Sequence, residues 1–455
     1  MPETEKITAH HLSSGEKLTS MESGPSLVLT NVHLPSGRVV DISIRDGHVV
    51  HSGASVKNKD ALDCSGLIVL PGAVDMHVHM RGGVQAEKED WRTGSMSALA
   101  GGVTVVVDQP NTVPAIDSPE IFGHRVNEAR SNSLCQFAIN SAVTPDTPFD
   151  AMWRAGAMAF GETFFAPSSY GDAVGDEVLG LALDRIHSFG GLATIHAEEI
   201  GEGPDVTLEE HDYIRSWAGE VRAVASVKKL NRSGCRLHFC HMSSGLSIDA
   251  APGTVEVTPH HLFLSRDEFR PDDAHGKVNP PLRSGKGQAE LWSRWDEIDV
   301  IASDHAPHTK TEKDAGFAGA PSGIPGVETM VPLLLARYLE GRISLASIIG
   351  KTSRNPSDIL GIPRPGFEIG ERADFALFRR EARPIDADTL HSRCGWSPFE
   401  QKMAVFPDTV IMAGSVVFRE GEFFPGNPSW FPGQWMSARN SNETTMAGSI
   451  GIDLL

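Results

Sequence analysis

Four histidines and two carboxylates are spaced along the chain so that they could share metal ions. In His77-Val78-His79 both imidazoles fall on one side of an extended segment while Val78 points away, so one ion can take both rings. Farther along, Glu162 stands in GAMAFGETFF, His196 follows LATI, His241 follows RLHFC and Asp304 follows VIAS. Neutral imidazoles with carboxylates suit zinc, cobalt or manganese, and a site that leaves one position for water is equipped for hydrolysis. An HxH pair alone is a weak signal, because a lone histidine is usually a satisfied polar residue. The set gains weight from the elements that must carry it.

Those elements alternate. Eight short β-rich runs begin at Ala73, Val103, Cys135, Ala157, Leu192, Arg236, Thr254 and Val300, with helix-like segments between them. EDWRTGSMSALA ends at Gly101-Gly102 and DEVLGLALDRIHSFGG at Gly190-Gly191, as helices closed by glycine do. The pattern predicts a (β/α)₈ TIM-type barrel over 71–365. In such a barrel His77, His79, Asn111, Glu162, His196, His241 and Asp304 lie at or just beyond strand C-terminal ends, which converge on one mouth. Alternating strands at 26–70 and again at 366–430 predict one small β-sandwich-like domain built from both chain ends. Weakly structured tails are expected at 1–25 and 431–455.

Composition excludes other classes. The 455 residues carry a net charge of −19, which argues against a nucleic-acid or anionic-membrane surface, so any anionic ligand must be held by local groups. The first 25 residues lack the apolar run of a signal peptide and no later stretch approaches a membrane span, so a cytoplasmic location is expected. Five scattered cysteines without a CxxC pair suggest neither a disulfide framework nor a thiolate zinc site.

PGAVDMHVHMR, GGVTVVVDQPNTVP, IHAEE, HFCHMSS, VTPHHLFL, KVNPPLRS and IASDHAPHT resemble, in order, the signatures of the cyclic amidohydrolases, and among them the dihydroorotases. The resemblance implies two zinc ions, with cobalt or manganese as alternatives. His77, His79 and Asp304 would hold the first and His196 and His241 the second. Many family members bridge the two with a carboxylated lysine, but no lysine occurs here from Glu89 to Val227. Where that lysine would follow Phe160 the chain has Gly161, so Glu162, one residue later, is expected to bridge directly. Its strand must then shift register to aim it inward.

The resemblance also assigns a substrate. Arg81, Asn111 and His308 match the trio that meets the exocyclic carboxylate of dihydroorotate. Asn279, Ser322 and Gly323 fall where relatives contact the pyrimidine ring. His260 and Cys240 are expected to be structural, and His238, on the opposite side of its strand from His241, is not expected to be a ligand. The implied reaction is reversible opening of the ring amide to N-carbamoyl-aspartate in pyrimidine synthesis, with Asp304 moving the proton. Allantoinase or hydantoinase activity is the alternative, followed by a catalytically silent subunit that scaffolds aspartate transcarbamoylase. Association with that enzyme and a homo-oligomer are the partner expectations besides the small-molecule substrate.

Overall fold

The computed structural model describes residues 27–54, 56, 61–165 and 173–434. Eight parallel strands, of which three contain His77, Glu162 and His196, are β1 (Ala73–Val78), β2 (Val103–Asp108), β3 (Gln136–Ile139), β4 (Phe160–Phe164), β5 (Leu192–His196), β6 (Arg236–Phe239), β7 (Thr254–Val257) and β8 (Val300–Ile301). Strands β1 to β3 form one sheet and β4 to β8 another, each strand hydrogen-bonded to its sequence neighbours. Single parallel bridges, Ser141 to Phe160 and Val78 to His305, join the two sheets at both edges. VTVVVD in β2 is buried at every position, as a parallel strand covered on both faces must be.

The helices begin and end where local chemistry dictates. Trp91–Ala100 starts at Asp90, whose carboxylate accepts the Thr93 N–H at 2.9 Å, and stops at Gly101. Asp176–Ser188 is capped by Phe189, and the expected terminator Gly190 follows at φ +73°.

Several strands are shorter than the sequence predicts. The run from Val300 was expected to continue through Asp304, yet its ladder ends at Ile301 and pairing returns only at His305. The reason lies in the backbone: Arg81, His241 and Asp304 have φ of +47°, +35° and +44°. Non-glycine residues in this region leave the ladder and cluster at functional sites.

Outside these strands, among the described residues, lie two larger, mainly antiparallel sheets and a short antiparallel pair, Arg383–Pro384 with Met403–Ala404. Leu27–His33, Val39–Arg45 and His48–Gly53 form a meander. In the second sheet, Ile68–Pro71 from the first part of the chain pairs with Phe375–Phe378, which continues into Pro407–Met412 and Ser415–Arg419. One sheet thus draws on both ends of the chain. The expected N-terminal tail lies outside the described residues, as does the C-terminal one beyond residue 434. The segment before that point is no tail. Phe137 donates its N–H to the Ser429 carbonyl, Phe431 donates to the Phe137 carbonyl, and Gly433 donates to Gly156. Backbone pairing and the Trp430 ring, 6.5 Å from that of Phe122, hold residues 429–433 against the parallel strands.

Candidate active site

Strand β4 contains an irregularity that decides where Glu162 points. Phe160 pairs with Ala193, but Thr163, three residues on, pairs with Ile195, only two residues on. The extra residue is a bulge, which re-aims the side chains beside it. Gly161 sits in the bulge at φ +120°, and a Cβ there would lie 2.1 Å from the Thr194 carbonyl oxygen. No side chain fits at position 161. Glu162 donates its N–H to Gln109 Oε1 at 3.0 Å and turns its carboxylate into the interior.

There the carboxylate meets histidines on two sides. Glu162 Oε1 is 2.6 Å from His241 Nε2 and 2.8 Å from His196 Nδ1, while Oε2 is 3.4 Å from His77 Nε2. Asp304 Oδ1 is 3.0 Å from His79 Nε2 and 3.4 Å from His77 Nε2. Among the described residues the ligand atoms of His77, Cys240 and Glu256 lie within 4.8 Å of one another, and so do those of two metal-competent groups, His77-His79-Glu162 and Glu162-His196-His241. Glu162 belongs to both.

The outer ring nitrogens test whether this set fits a metal. His77 Nδ1 is 3.0 Å from Glu256 Oε1, His79 Nδ1 is 2.8 Å from Asn111 Oδ1, and His196 Nε2 is 3.1 Å from Glu198 Oε2. Each outer N–H donates to an oxygen, so the inner nitrogen keeps its lone pair for the centre. His77 Nε2 is buried without a hydrogen-bond partner among the described residues. These supports are themselves held. Glu256 accepts His238 Nε2 at 3.2 Å and the His241 N–H at 3.1 Å, and Glu198 is paired with Arg215.

The electrostatics agree. Burial alone would raise the Glu162 pKa, yet His77 and the hydrogen bonds from His196 and His241 hold it well below the usual carboxylate range. Asp304 is likewise lowered against its burial, by His77 and His79. Burial lowers the His196 pKa, but Glu162 and Glu198 outweigh it and raise the ring to about 9. A centre that draws positive charge onto its imidazoles is one that a divalent cation satisfies.

Beside this centre opens a narrow cleft of about 40 Å³. From the metal-competent groups His79, Glu162 and His196 line it, with Asp304 beside them; from the expected substrate residues come Arg81, Asn111, Asn279, Ser322 and Gly323. His77 and His241 lie among the ligand atoms without lining the cleft. His308 does not line it either. It stands behind Arg81, its Nε2 3.4 Å from an Arg81 Nη, and the Arg81 Nε–H donates to the Pro307 carbonyl at 3.3 Å. Asn279 Oδ1 accepts His211 Nε2 at 2.9 Å, which leaves its amide NH₂ for a ligand. Gly323, at φ +148°, closes so near the end of β8 that a Cβ would lie 2.5 Å from the Ala306 carbonyl.

Sequence reasoning missed the supporting residues Glu198, Arg215, Gln109 and Glu256. Two had a signal. Glu198 follows His196 by two residues, and Glu256 is a lone acid inside the apolar run TVEV. His238, bonded to Thr254 and Glu256, stays outside the centre; His260 and Cys240 are buried and do not line the cleft, though the Cys240 thiol lies within 4.8 Å of His77 and Glu256. All five cysteines are buried and free.

Comparisons with known proteins bear on this geometry. A family model described as "Dihydro-orotase-like" matches residues 66–171. Over 433 residues the chain is 38% identical to a dihydroorotase of Methanosarcina acetivorans, covering 86% of this chain and 92% of the relative. It is 36% identical to a dihydroorotase of Halobacterium salinarum, covering 86% and 96%. Among solved structures, an L-hydantoinase (dihydropyrimidinase) from Arthrobacter aurescens superposes with a TM-score of 0.82 at 24% identity, covering 90% of this chain and 100% of the other. At that identity the superposition speaks for the fold alone.

Proposed function

The chain belongs to the dihydroorotase family, and from that premise we propose how it works as a metal-dependent dihydroorotase, hydrolysing the cyclic amide of dihydroorotate to N-carbamoyl-aspartate and catalysing the reverse closure. The observation that carries this reading is Glu162, with one oxygen on His196 and His241 and the other on His77. We read the linked parallel sheets as a (β/α)₈ barrel over 71–365, with the antiparallel sheets as an appended β domain.

His77, His79 and Asp304 would hold one ion, His196 and His241 the other, with Glu162 between them and no lysine carbamate. Zinc suits the donors best. When bound, such a pair lowers the pKa of water and polarises a carbonyl. The chain's own residues do the rest. Arg81 and Asn111 bind the exocyclic carboxylate by charge-assisted hydrogen bonds, with His308 and the Pro307 carbonyl fixing the guanidinium. Asn279 and the Ser322-Gly323 backbone orient the ring so that its amide carbon faces the centre. Asp304 takes the proton of the attacking water and returns it to the leaving ring nitrogen; the same shuttle runs backwards for closure.

Among the described residues no helix is long and apolar enough to cross a membrane. The test of the proposal is turnover of dihydroorotate, hydantoin and allantoin by the zinc-supplemented protein. A clear preference for dihydroorotate supports it, and a preference for either neutral ring overturns the substrate assignment.

A further inference from the structure

Two lysines are buried in the wall behind Ser322 and Gly323. Lys313 is 2% exposed, and its Nζ donates to three backbone carbonyls, those of Lys277, Pro321 and Gly323, at 3.1, 3.0 and 3.1 Å. Lys277 is 6% exposed, and its Nζ donates to the Phe317 and Ala320 carbonyls at 2.7 and 3.1 Å. Both residues adjoin the cleft lining: Lys313 reaches the Gly323 carbonyl with its Nζ, Val278 and Asn279 follow Lys277 in the chain, and Gly323 donates its N–H to the Lys277 carbonyl at 3.1 Å.

Hydrogen bonding alone does not account for two ammonium groups here. Among the described residues neither forms an ion pair with a carboxylate; Nζ instead lies 4.8 Å over the Phe317 ring for Lys277 and 5.6 Å over the Trp396 ring for Lys313. Carbonyl dipoles and ring faces stabilise a cation without cancelling its charge. Burial and the neighbouring Lys277 push the Lys313 pKa down to about 7. Three convergent carbonyls oppose that shift, because only the ammonium has three protons to satisfy them. Asp205 near Lys277, and Asp273 and Glu312 near Lys313, offset part of this charge without pairing with it; the remainder is separated from the cleft by one layer of backbone, in a protein whose net charge of −19 would otherwise repel an anionic ring.

We propose that Lys277 and Lys313 form a buried cationic pair that holds the Ser322-Gly323 wall in place and makes the cleft discriminate carboxylate-bearing rings from neutral ones. The pair would act through the wall and through its field, as positioning and specificity residues that touch no reacting atom. The inference rests on the carboxylate-bearing substrate proposed above.

The test uses two inhibitors of one shape, orotate and its uncharged methyl ester, on the metal-loaded wild type and on Lys313→Met, Lys313→Arg and Lys277→Met. Wild type should bind orotate the more tightly. Either methionine variant should lower the ester-to-orotate ratio of inhibition constants about fivefold or more, while Lys313→Arg keeps most of it. Metal content and thermal unfolding show which variants are folded, and Lys277→Met carries the test if Lys313→Met is not. Methionine variants that weaken both inhibitors equally, or leave the ratio unchanged, reduce the lysines to structural fasteners and overturn the inference alone. A wild type that binds ester and acid equally overturns the carboxylate assignment as well.

Discussion

Gly161 lies so close to Thr194 that a Cβ on the glycine would stand 2.1 Å from the threonine's carbonyl oxygen. That contact, at φ +120°, leaves no room for a lysine at this position and makes the following residue the one that faces the histidines. Gly161→Ala should therefore lower stability by about 2–4 kcal/mol, the scale of a buried steric clash with a positive-φ penalty. Urea denaturation measures it; a change under about 0.5 kcal/mol would mean the bulge is pliable.

The outward partners of His77 and His196, Glu256 and Glu198, set which ring nitrogen would face the proposed metals. Glu256→Gln and Glu198→Gln should each weaken metal binding about 10–100-fold, the usual effect of removing such a support. Competition with a chelator reads this directly, and unchanged affinity in both variants would remove the two acids from the account.

Asp304→Asn keeps the shape of the side chain and removes its ability to carry a proton. Turnover of dihydroorotate should fall by at least about 10²-fold in both directions. Rapid-quench or steady-state kinetics with metal content measured in parallel checks it. Retained rate with full metal occupancy would assign the proton to another group.

His308 makes stability depend on pH. Burial first, and then the charges of Arg81, Lys88 and Lys313, outweigh the hydrogen bond to Glu312 and depress its pKa from 6.5 to about 3. Above pH 6.5 the ring is neutral folded or unfolded and contributes nothing. As pH falls below 6.5 the unfolded chain binds a proton that the folded one refuses, so stability drops by about 1.4 kcal/mol per pH unit until about pH 3. His260 and His261, also depressed, add slopes of the same sign. His308→Asn should make the loss between pH 6.5 and 5 shallower by about one proton's worth, and identical slopes would show that the ring titrates freely.

Much of the site was legible because its signals are local. His77 and His79 declare a shared face by a spacing of two, and His196, His241 and Asp304 each terminate an apolar run. The register shift expected at Glu162 is present as the bulge between Phe160 and Thr163. The left-handed turns at Arg81, His241 and Asp304 were not legible, since nothing in their residue types demands positive φ. Lys277 and Lys313 were also missed. Their partners are backbone carbonyls up to 43 residues away in the chain, and carbonyls leave no trace in a sequence. His308 matched a motif position, but only the fold put Arg81 between it and the cleft.

The central claim is that a glutamate, with no carbamate, joins the two halves of the metal centre. Metal content of zinc-reconstituted wild type and Glu162→Gln, measured by plasma mass spectrometry with circular dichroism confirming the fold, tests it most directly. The account predicts two ions per chain in the wild type and one or fewer in the variant. Two ions retained in folded Glu162→Gln would contradict it.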